Sequence, residues 1–507
     1  MADIELKHEK AKLVKTLKRW DLVFFSVCAL IGLDAVASLA NIGLGQGITW
    51  LLVFVALFLL PYGLLMAEVA AAFPAEGGMY TWVRMAYGRL AGEITAILYW
   101  FSNAIWIGGS LAGATIAVLV SFFLNGNDVG TAWSIVIGLA FVWVTIAIAI
   151  VSLRYGKWAG NIGALVKALA VIFFAVLVIA SLAKHGLPDG HAAMSTFKPT
   201  ISGFLGVIGL IVFLFVGFEL ESGASEEMTN PQRDVPIGVL RSGVITAILY
   251  AMVVGGILLA LPVKDITNAA GLSDAFALVN QNVFGTGGGA KFLGYMFGII
   301  LILTLLGSGA VWILGSCRVQ AIAALDGAAP RAMGRFGKQG TPVVMAYLSG
   351  VIGSIFVVLV FTLTSGSLGD FFGVMFSLAV STAVLAYIFS VPAVVTLRRK
   401  FPDVHRPFIV PGGTVGLWIC MILSEAAVIV TGITLLWPGL IDNLLGQEYS
   451  IMDNWEVSRT FFEAVTFGSF IAICIVAVIL WAIGRAQTKG AEITTEELIE
   501  GAVVEES

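Results

Sequence analysis

Charged side chains are scarce in this sequence. Only 12% of its 507 residues are Asp, Glu, Lys or Arg, whereas 59% are hydrophobic. Soluble globular proteins carry about 25% charged residues. The mean hydropathy of +0.98 therefore excludes an ordinary soluble domain and indicates a chain that lies largely within a membrane.

Cysteine and histidine are also rare, with four of each. The cysteines form no CxxC pair, which argues against a disulfide framework or a metal cluster. All four histidines fall outside the apolar runs, which argues against a membrane-embedded haem or zinc centre. Without a Ser/His/Asp set or a cofactor motif, the sequence predicts no enzyme, no metal and no cofactor. Nothing in it supports nucleic-acid binding.

Apolar runs recur along the chain, each long enough to cross about 30 Å of hydrocarbon. They predict an all-α polytopic membrane protein with twelve spans, numbered 1 to 12 in chain order. The predicted spans cover residues 21–44, 48–73, 91–124, 132–153, 158–183, 203–227, 236–262, 291–323, 342–363, 369–397, 410–437 and 460–484. Span 1 is too long for a cleavable signal peptide, and span 2 follows at once.

Lys and Arg residues are distributed unevenly between the two sides of this arrangement. With a cytoplasmic N-terminus, 22 of the 28 fall on the cytoplasmic side, five fall outside, and Lys167 lies within span 5. This satisfies the positive-inside rule. We expect a plasma (inner) membrane protein with both termini in the cytoplasm. Its basic arm, residues 1–19, would contact anionic lipid headgroups, and its acidic tail, residues 486–507, would be solvated.

Two similar tripeptides place an acid inside an apolar span. Gly32-Leu33-Asp34 lies in span 1 next to Ile31, which is about 15 Å from the start of the span at 1.5 Å per residue. The tripeptide from Gly217 to Glu219 repeats the pattern in span 6. Intramembrane acids mark function by default, and paired helix breaks are typical of inverted-repeat transporters. We therefore predict discontinuous helices in spans 1 and 6.

Other ionisable residues in the spans differ in depth. Lys167 lies about 14 Å into span 5, where it could serve in coupling or form a fixed tie to broken-helix carbonyls. Glu425 in span 11 is expected to pair with another helix or a second protomer. Glu68, Glu93 and Glu463 lie near span ends, and we expect them to be wetted.

Three longer motifs resemble the amino acid–polyamine–organocation superfamily of transporters, and the similarity in span count and order covers nearly the whole chain. The matching residues are Pro74, Gly77, Gly78, Tyr80, Trp82 and Val83 after span 2; Gly217, Phe218, Glu219, Glu227, Asn230, Pro231, Arg233 and Pro236 in and after span 6; and Arg318, Ala324, Asp326, Gly327 and Pro330 at the end of span 8. Together these motifs are specific.

The resemblance implies the five-plus-five inverted repeat of the bacterial leucine transporter plus two C-terminal helices. The repeats would cover residues 20–200 and 201–400, with the last two helices in 401–485. The substrate would bind between helices 1 and 6, at Ile31, Gly32, Leu33, Asp34, Phe213, Val216, Gly217 and Glu219. Phe213 would act as a lid. Lys167, the coupling candidate, matches the helix-5 lysine of sodium-independent members. The ammonium of that lysine resembles a replacement for a sodium ion that bridges helices 1 and 8.

One departure concerns the substrate. Many members carry a second glycine where this chain has Asp34, and bare N–H groups there grip a substrate carboxylate. The resemblance favours an amino acid transporter that works by alternating access, without sodium, through proton coupling or exchange. The alternative is an amine or polyamine without a carboxylate, recognised by Asp34. A nutrient sensor without transport is a remote alternative.

Overall fold

The computed structural model describes residues 19–74, 77–124, 126–127, 129–152, 156–220, 231–268, 270–337, 340–363, 368–446 and 459–488. All of the predicted basic arm except Arg19, and most of the acidic tail, lie outside these ranges, as do Glu227 and Asn230. Every regular element within the described residues is a helix. The prediction of an all-α polytopic membrane protein is confirmed.

Helices occupy each of the predicted spans. Those of spans 1 to 6 are Arg19–Leu30, Val36–Phe54, Leu60–Ala72, Arg89–Trp106, Ala112–Phe123, Gly130–Ser152, Gly156–His185 and Ile201–Phe215. Those of spans 7 to 12 are Pro231–Ala260, Gly288–Leu325, Val343–Leu363, Leu368–Leu385, Tyr387–Lys400, Gly413–Leu436 and Arg459–Gln487. Ten helices of the described residues are long and apolar enough to cross a membrane, and Trp20–Leu30 and Val343–Leu359 are shorter apolar helices.

Shorter helices connect the spans. Gly78–Tyr87 joins spans 2 and 3 and is called the 2–3 helix; Gly271–Phe284 joins spans 7 and 8 and is called the 7–8 helix; Pro438–Leu445 follows span 11. Turns of π-helix, Val55–Leu59 and Ile107–Leu111, lie within spans 2 and 3. Single 3-10 turns are Met194–Phe197, Phe218–Leu220, Val263–Asp265 and Arg331–Gly334.

Both predicted helix breaks are present. In span 1 the helix ends at Leu30 and resumes at Val36. In span 6 it ends at Phe215, and Gly217 has a φ of 132°, a conformation that glycine adopts far more easily than other residues. A further departure from helical torsion at Leu44, with φ 45°, separates the second half of span 1 from span 2. The breaks therefore lie in the first helix of each predicted repeat; the repeat boundaries themselves remain predictions.

The spans differ in how much of their surface is covered by protein. In spans 3 and 10, 83% of the most apolar window is buried, compared with 17% in span 12 and 39% in span 4. In a membrane, exposed apolar helix surface faces lipid. Spans 3 and 10 thus form part of the core around spans 1 and 6, and span 12 lies at the periphery.

Two acids that we expected to be wetted are buried instead. Glu68 is 2% exposed and Glu93 is 0% exposed. Glu68 accepts a hydrogen bond from Arg398 Nε at 2.7 Å, a second from Arg398 Nη2, and one from the Val410 amide at 2.8 Å. The expectation was wrong because the chain between spans 10 and 11 covers this end of span 2. Glu68 and Arg398 tie span 2 to span 10.

Candidate functional site

The end of the first half-helix is held by Lys167. Its ammonium donates to the carbonyl oxygens of Cys28 at 2.5 Å and Ile31 at 2.8 Å, and to the Ser308 hydroxyl. An ammonium has three protons and no acceptor, so these bonds use its full donor capacity. Lys167 therefore joins span 5 to the broken end of span 1 and to span 8.

Two aromatic side chains donate hydrogen bonds to the carbonyls of Ala29 and Leu30, which lie between Cys28 and Ile31. Trp312 Nε1 in span 8 donates to the Ala29 carbonyl at 2.9 Å. The Tyr250 hydroxyl in span 7 donates to the Leu30 carbonyl and accepts from the Gly32 amide at 2.9 Å. The last four carbonyls of a helix have no partner within it. Here the four consecutive carbonyls from Cys28 to Ile31, at and just past the helix end, are all bonded by side chains of spans 5, 7 and 8.

Asp34 lies within the gap of span 1 and is 2% exposed. Its Oδ2 accepts hydrogen bonds from Trp106 Nε1 at 2.8 Å and from Ser110 Oγ at 2.6 Å, both on span 3. Its Oδ1 is buried and has no hydrogen-bond partner among the described residues. A Cβ placed on Gly32 would lie 3.2 Å from this oxygen, so the open oxygen lies against the bare backbone of the break.

A row of aromatic rings begins at Trp106, which donates a hydrogen bond to Asp34. Trp106 lies 6.1 Å from Phe213 and 6.1 Å from Trp312, measured between ring centroids. Trp312 lies 6.0 Å from Tyr99. Phe213 is the partly exposed ring of this set, whereas Trp106 and Trp312 are buried. Aromatic faces attract cations, with Trp the strongest, so side chains of this kind are chemically suited to a positively charged group.

Glu219 lies at the other end of the row and is 3% exposed. Its Oε1 accepts from the hydroxyls of Tyr99 at 2.8 Å and Tyr387 at 2.6 Å, and its Oε2 accepts from the Tyr62 hydroxyl and from the Gly217 amide at 3.2 Å. We call these three residues, Tyr62, Tyr99 and Tyr387, the tyrosine cage. It draws spans 2, 3 and 10 around the break in span 6.

Gly217 packs closely against Trp312 of the aromatic row, which leaves little space for a side chain. An added Cβ would lie 3.1 Å from Trp312 and 3.3 Å from Leu30. Together with its positive φ, this close approach explains why the break of span 6 carries a glycine. The two breaks therefore contact each other through Leu30 and Gly217.

The predicted site residues are brought together, but they do not all face the same space. Ile31 and Val216 are buried at the two breaks. Leu33 instead lines a small apolar cavity with Ala170, Val171 and Phe174, away from the polar partners of Asp34. Lys167 donates to carbonyl oxygens and to Ser308, and none of its described hydrogen bonds goes to Asp34.

Sequence reasoning missed the partners of these residues. The missed side chains share a position at membrane depth on neighbouring spans; they are Tyr62, Tyr99, Trp106, Ser110, Tyr250, Ser308, Trp312 and Tyr387. One usable signal was the spacing of Trp106 and Ser110, which places both on one helix face. Among the described residues, no group of three His, Cys, Asp or Glu could hold a metal.

Comparison with known proteins assigns the family. The amino acid permease family profile matches residues 17–441. The chain belongs to the amino acid permease family. This family membership confirms the resemblance and identifies the protein as a multi-pass membrane transporter.

Three relatives show the range of substrates associated with similar chains. A probable agmatine/putrescine antiporter of Lactococcus lactis is 28% identical over 461 residues, which cover 90% of this chain and 92% of the relative. An uncharacterised transporter of Legionella pneumophila is 28% identical over 79% of this chain and 84% of its own length. A branched-chain amino acid permease of Bacillus subtilis is 26% identical over 78% of this chain and 85% of its own length.

Proposed function

We propose that this permease is a sodium-independent secondary transporter of organic amines that lack an α-carboxylate. The observation that carries the proposal is the Oδ1 oxygen of Asp34, which is buried and has no partner among the described residues. A buried carboxylate is costly unless it is paired. A substrate ammonium would complete the pair, and the faces of Trp106 and Trp312 would add cation–π attraction.

The position of Asp34 favours amines over amino acids. It lies two residues before the second half-helix begins at Val36, and a helix N-terminus is a natural binding place for an anion. In a transporter of α-amino acids this place would receive the substrate carboxylate. Here the chain supplies its own carboxylate, which would repel a second one. The similarity to the L. lactis agmatine/putrescine antiporter agrees with this assignment.

Alternating access would move the contacts around the two breaks. Phe213 acts as the lid, since it is the partly exposed ring beside Trp106. On the predicted cytoplasmic side of the row, the tyrosine cage around Glu219 holds spans 2, 3, 6 and 10 together. Opening to the cytoplasm requires these bonds to break, and opening to the outside requires Phe213 to move.

Lys167 makes a sodium ion unnecessary in this scheme. Its ammonium places a fixed positive charge between spans 1 and 8, at the carbonyls that a cation would otherwise coordinate. It thus couples the position of span 1 to span 8 in every cycle. We expect uptake in proteoliposomes to be unchanged when potassium replaces sodium; a strict sodium requirement would contradict this role.

The substrate class is tested with matched pairs that differ only in the α-carboxylate. Agmatine is compared with arginine, and putrescine with ornithine, in a thermal-shift assay on the purified protein. A bound ligand at one hundred times its Kd stabilises the protein by about 2.7 kcal/mol. We expect the amine of each pair to raise the melting temperature, and its radiolabelled form to be taken up and exchanged by proteoliposomes. Stronger stabilisation by the amino acids would overturn the proposal.

Zwitterionic amino acids are the second candidate. The similarity to the branched-chain amino acid permease of B. subtilis over 78% of this chain favours them. For this candidate Asp34 would have to be protonated when substrate binds. The discriminating result is a preference for leucine or isoleucine over the matching alkylamine in the same assay.

We further propose that the protein lies in the plasma membrane with both termini in the cytoplasm. The excess of Lys and Arg on one side supports this orientation. Fusion of a reporter that is active only in the cytoplasm to each terminus tests it, and activity at one terminus alone would contradict an even number of spans.

A further inference from the structure

Glu93 is a buried acid that the substrate site does not use. It lies near the predicted cytoplasmic end of span 3, 0% exposed. Its Oε1 accepts a hydrogen bond from Gln320 Nε2 of span 8 at 2.8 Å. The bond therefore joins the two spans that also carry Tyr99, Trp106 and Trp312.

Two oxygen atoms of the Glu93–Gln320 pair lack a hydrogen-bond partner within the described part of the chain. Glu93 Oε2 and Gln320 Oε1 are both buried, and neither has a hydrogen-bond partner among the described residues. Buried polar atoms are nearly always paired. An ionised carboxylate and an amide oxygen are both acceptors only, so with Glu93 ionised neither oxygen can satisfy the other.

Protonation of Glu93 would allow both atoms to be satisfied at once. A carboxylic acid has one O–H donor, and an acid and an amide pair through two parallel hydrogen bonds. In that arrangement Gln320 Nε2 donates to Glu93 Oε1, as observed, and Glu93 Oε2–H donates to Gln320 Oε1. A single proton on Glu93 would thereby give both oxygen atoms a hydrogen-bond partner.

We propose that Glu93 and Gln320 form a proton-binding site that is loaded in this conformation and empties when spans 3 and 8 separate. This inference rests on the proposed transport function and assigns it a proton-carrying group. Once water reaches the pair, the O–H bond of Glu93 breaks, the proton passes to a water molecule, and the hydrated carboxylate remains. Water is the only co-reactant that this step requires.

The location of the pair suits this role. Glu93 lies six residues before Tyr99 on span 3, and Gln320 lies eight residues after Trp312 on span 8. At 1.5 Å per residue these offsets are about 9 Å and about 12 Å, both toward the predicted cytoplasmic side. A movement that opens the tyrosine cage to the cytoplasm would therefore expose Glu93 to water in the same step.

Other ionisable groups lie on the helices packed against the pair. Tyr80 of the 2–3 helix interacts electrostatically with Glu93 and donates its hydroxyl to Asp326. Arg84 of the same helix donates to Asp326 through Nε at 2.8 Å and through Nη2 at 3.2 Å. On the other helices packed against span 3, the charged residues toward the predicted cytoplasmic end are Arg318 of span 8, Arg398, Arg399 and Lys400 of span 10, and Arg485 of span 12. Those toward the predicted outer end are Lys291, Asp370, Arg459 and Glu463. The described hydrogen bond of Glu93 goes to Gln320 and to none of these groups.

Infrared difference spectroscopy of the purified protein during a pH titration tests the site directly, since it detects the C=O stretch of a protonated carboxylic acid. We expect a band that disappears in Glu93→Gln and shifts in Gln320→Leu, which removes its hydrogen-bond partner. Glu463→Gln is the control and should leave that band in place. A spectrum that is the same in Glu93→Gln as in the native protein would overturn the proposal.

Transport in proteoliposomes gives the second readout. Proton movement measured with an internal pH dye should accompany amine uptake in the native protein and be absent in Glu93→Gln. The rate should depend on pH by up to about tenfold per unit, the limit for one proton, and this dependence should flatten in the variant. An unchanged pH profile would contradict the role in transport. Absence of amine transport with the infrared band intact would defeat the proposed function and leave the proton site standing.

Discussion

The ammonium nitrogen of Lys167 lies 2.8 Å from the carbonyl oxygen of Ile31, the first residue past the end of the half-helix in span 1. A side chain from span 5 thus replaces the hydrogen bond that a continuous helix would have supplied. Unsatisfied backbone groups are not tolerated at membrane depth. The break can persist there because its carbonyls are bonded by side chains.

Removal of this ammonium is expected to destabilise the break. In Lys167→Met the carbonyls of Cys28 and Ile31 lose their donor, at about 1–3 kcal/mol for each buried group. We expect a lower melting temperature and loss of amine uptake. Lys184→Met is the matched control, because Lys184 also donates to a carbonyl, that of Val283 at 2.8 Å, but on an exposed surface. Normal uptake with an unchanged pH profile in Lys167→Met would refute the coupling role.

Replacement of Asp34 tests substrate recognition. Asp34→Asn keeps the size of the side chain and removes its charge, so a charge-assisted hydrogen bond to the substrate is lost. Such bonds contribute about 1.5–3 kcal/mol, which corresponds to a fall of about tenfold to about 150-fold in amine affinity by thermal shift or calorimetry. Asp274→Asn is the control, since Asp274 also accepts from a serine, Ser121 at 3.1 Å, but lies in the 7–8 helix. Equal losses in both variants would count against Asp34 as the amine ligand.

The glycine of the second break is expected to be essential for transport. Gly217→Ala places a Cβ 3.1 Å from Trp312 at a φ of 132°, and such strain costs about 1–3 kcal/mol. We expect uptake to fall at least tenfold, because the aromatic row must shift to make room. Gly307→Ala is the control: nothing lies within 4 Å of its added Cβ, and alanine favours a helix interior by about 1 kcal/mol. Full activity of Gly217→Ala would show that the row tolerates the shift.

The ion pair between Glu68 and Arg398 is expected to stabilise the core. Removing one partner of a fully buried pair costs about 3–5 kcal/mol, and the partial exposure of Arg398 makes this an upper bound here. We expect Glu68→Gln and Arg398→Met each to lower the melting temperature strongly, and the double variant to lose less than the sum. Arg399→Met is the control, because Arg399 lies over the ring of Trp418 at an exposed position. Additive losses in the double variant would show that the two residues act independently.

The spans and both breaks could be predicted from the sequence. Runs of about 20 apolar residues identify a span without knowledge of its neighbours. Glycine followed by an acid at Gly32 and Gly217 marks a place where a continuous helix is disfavoured and polarity is retained. These are local properties of one helix, so a single sequence carries them.

The contacts between helices could not be predicted in the same way. Whether Trp312 reaches the Ala29 carbonyl depends on which spans are neighbours and on their rotation. Tyrosine and tryptophan count as apolar residues in a span, although their polar ends here bond to Glu219 and Asp34. Glu93 was misjudged because its depth along span 3 gives no indication that other helices cover it.

The four bonded carbonyls at the end of the first half-helix also bear on the kinetics of the carrier. Side chains of three other spans hold Cys28, Ala29, Leu30 and Ile31, at about 0.5–1.5 kcal/mol for each bond. A displacement of this half-helix must release these bonds together, and under the proposed function a bound amine would offset the loss through Asp34. An unloaded carrier has no such compensation. We therefore expect its return across the membrane to be the slow step, so that counter-substrate on the far side accelerates flux by trans-stimulation; equal flux with and without counter-substrate would contradict this.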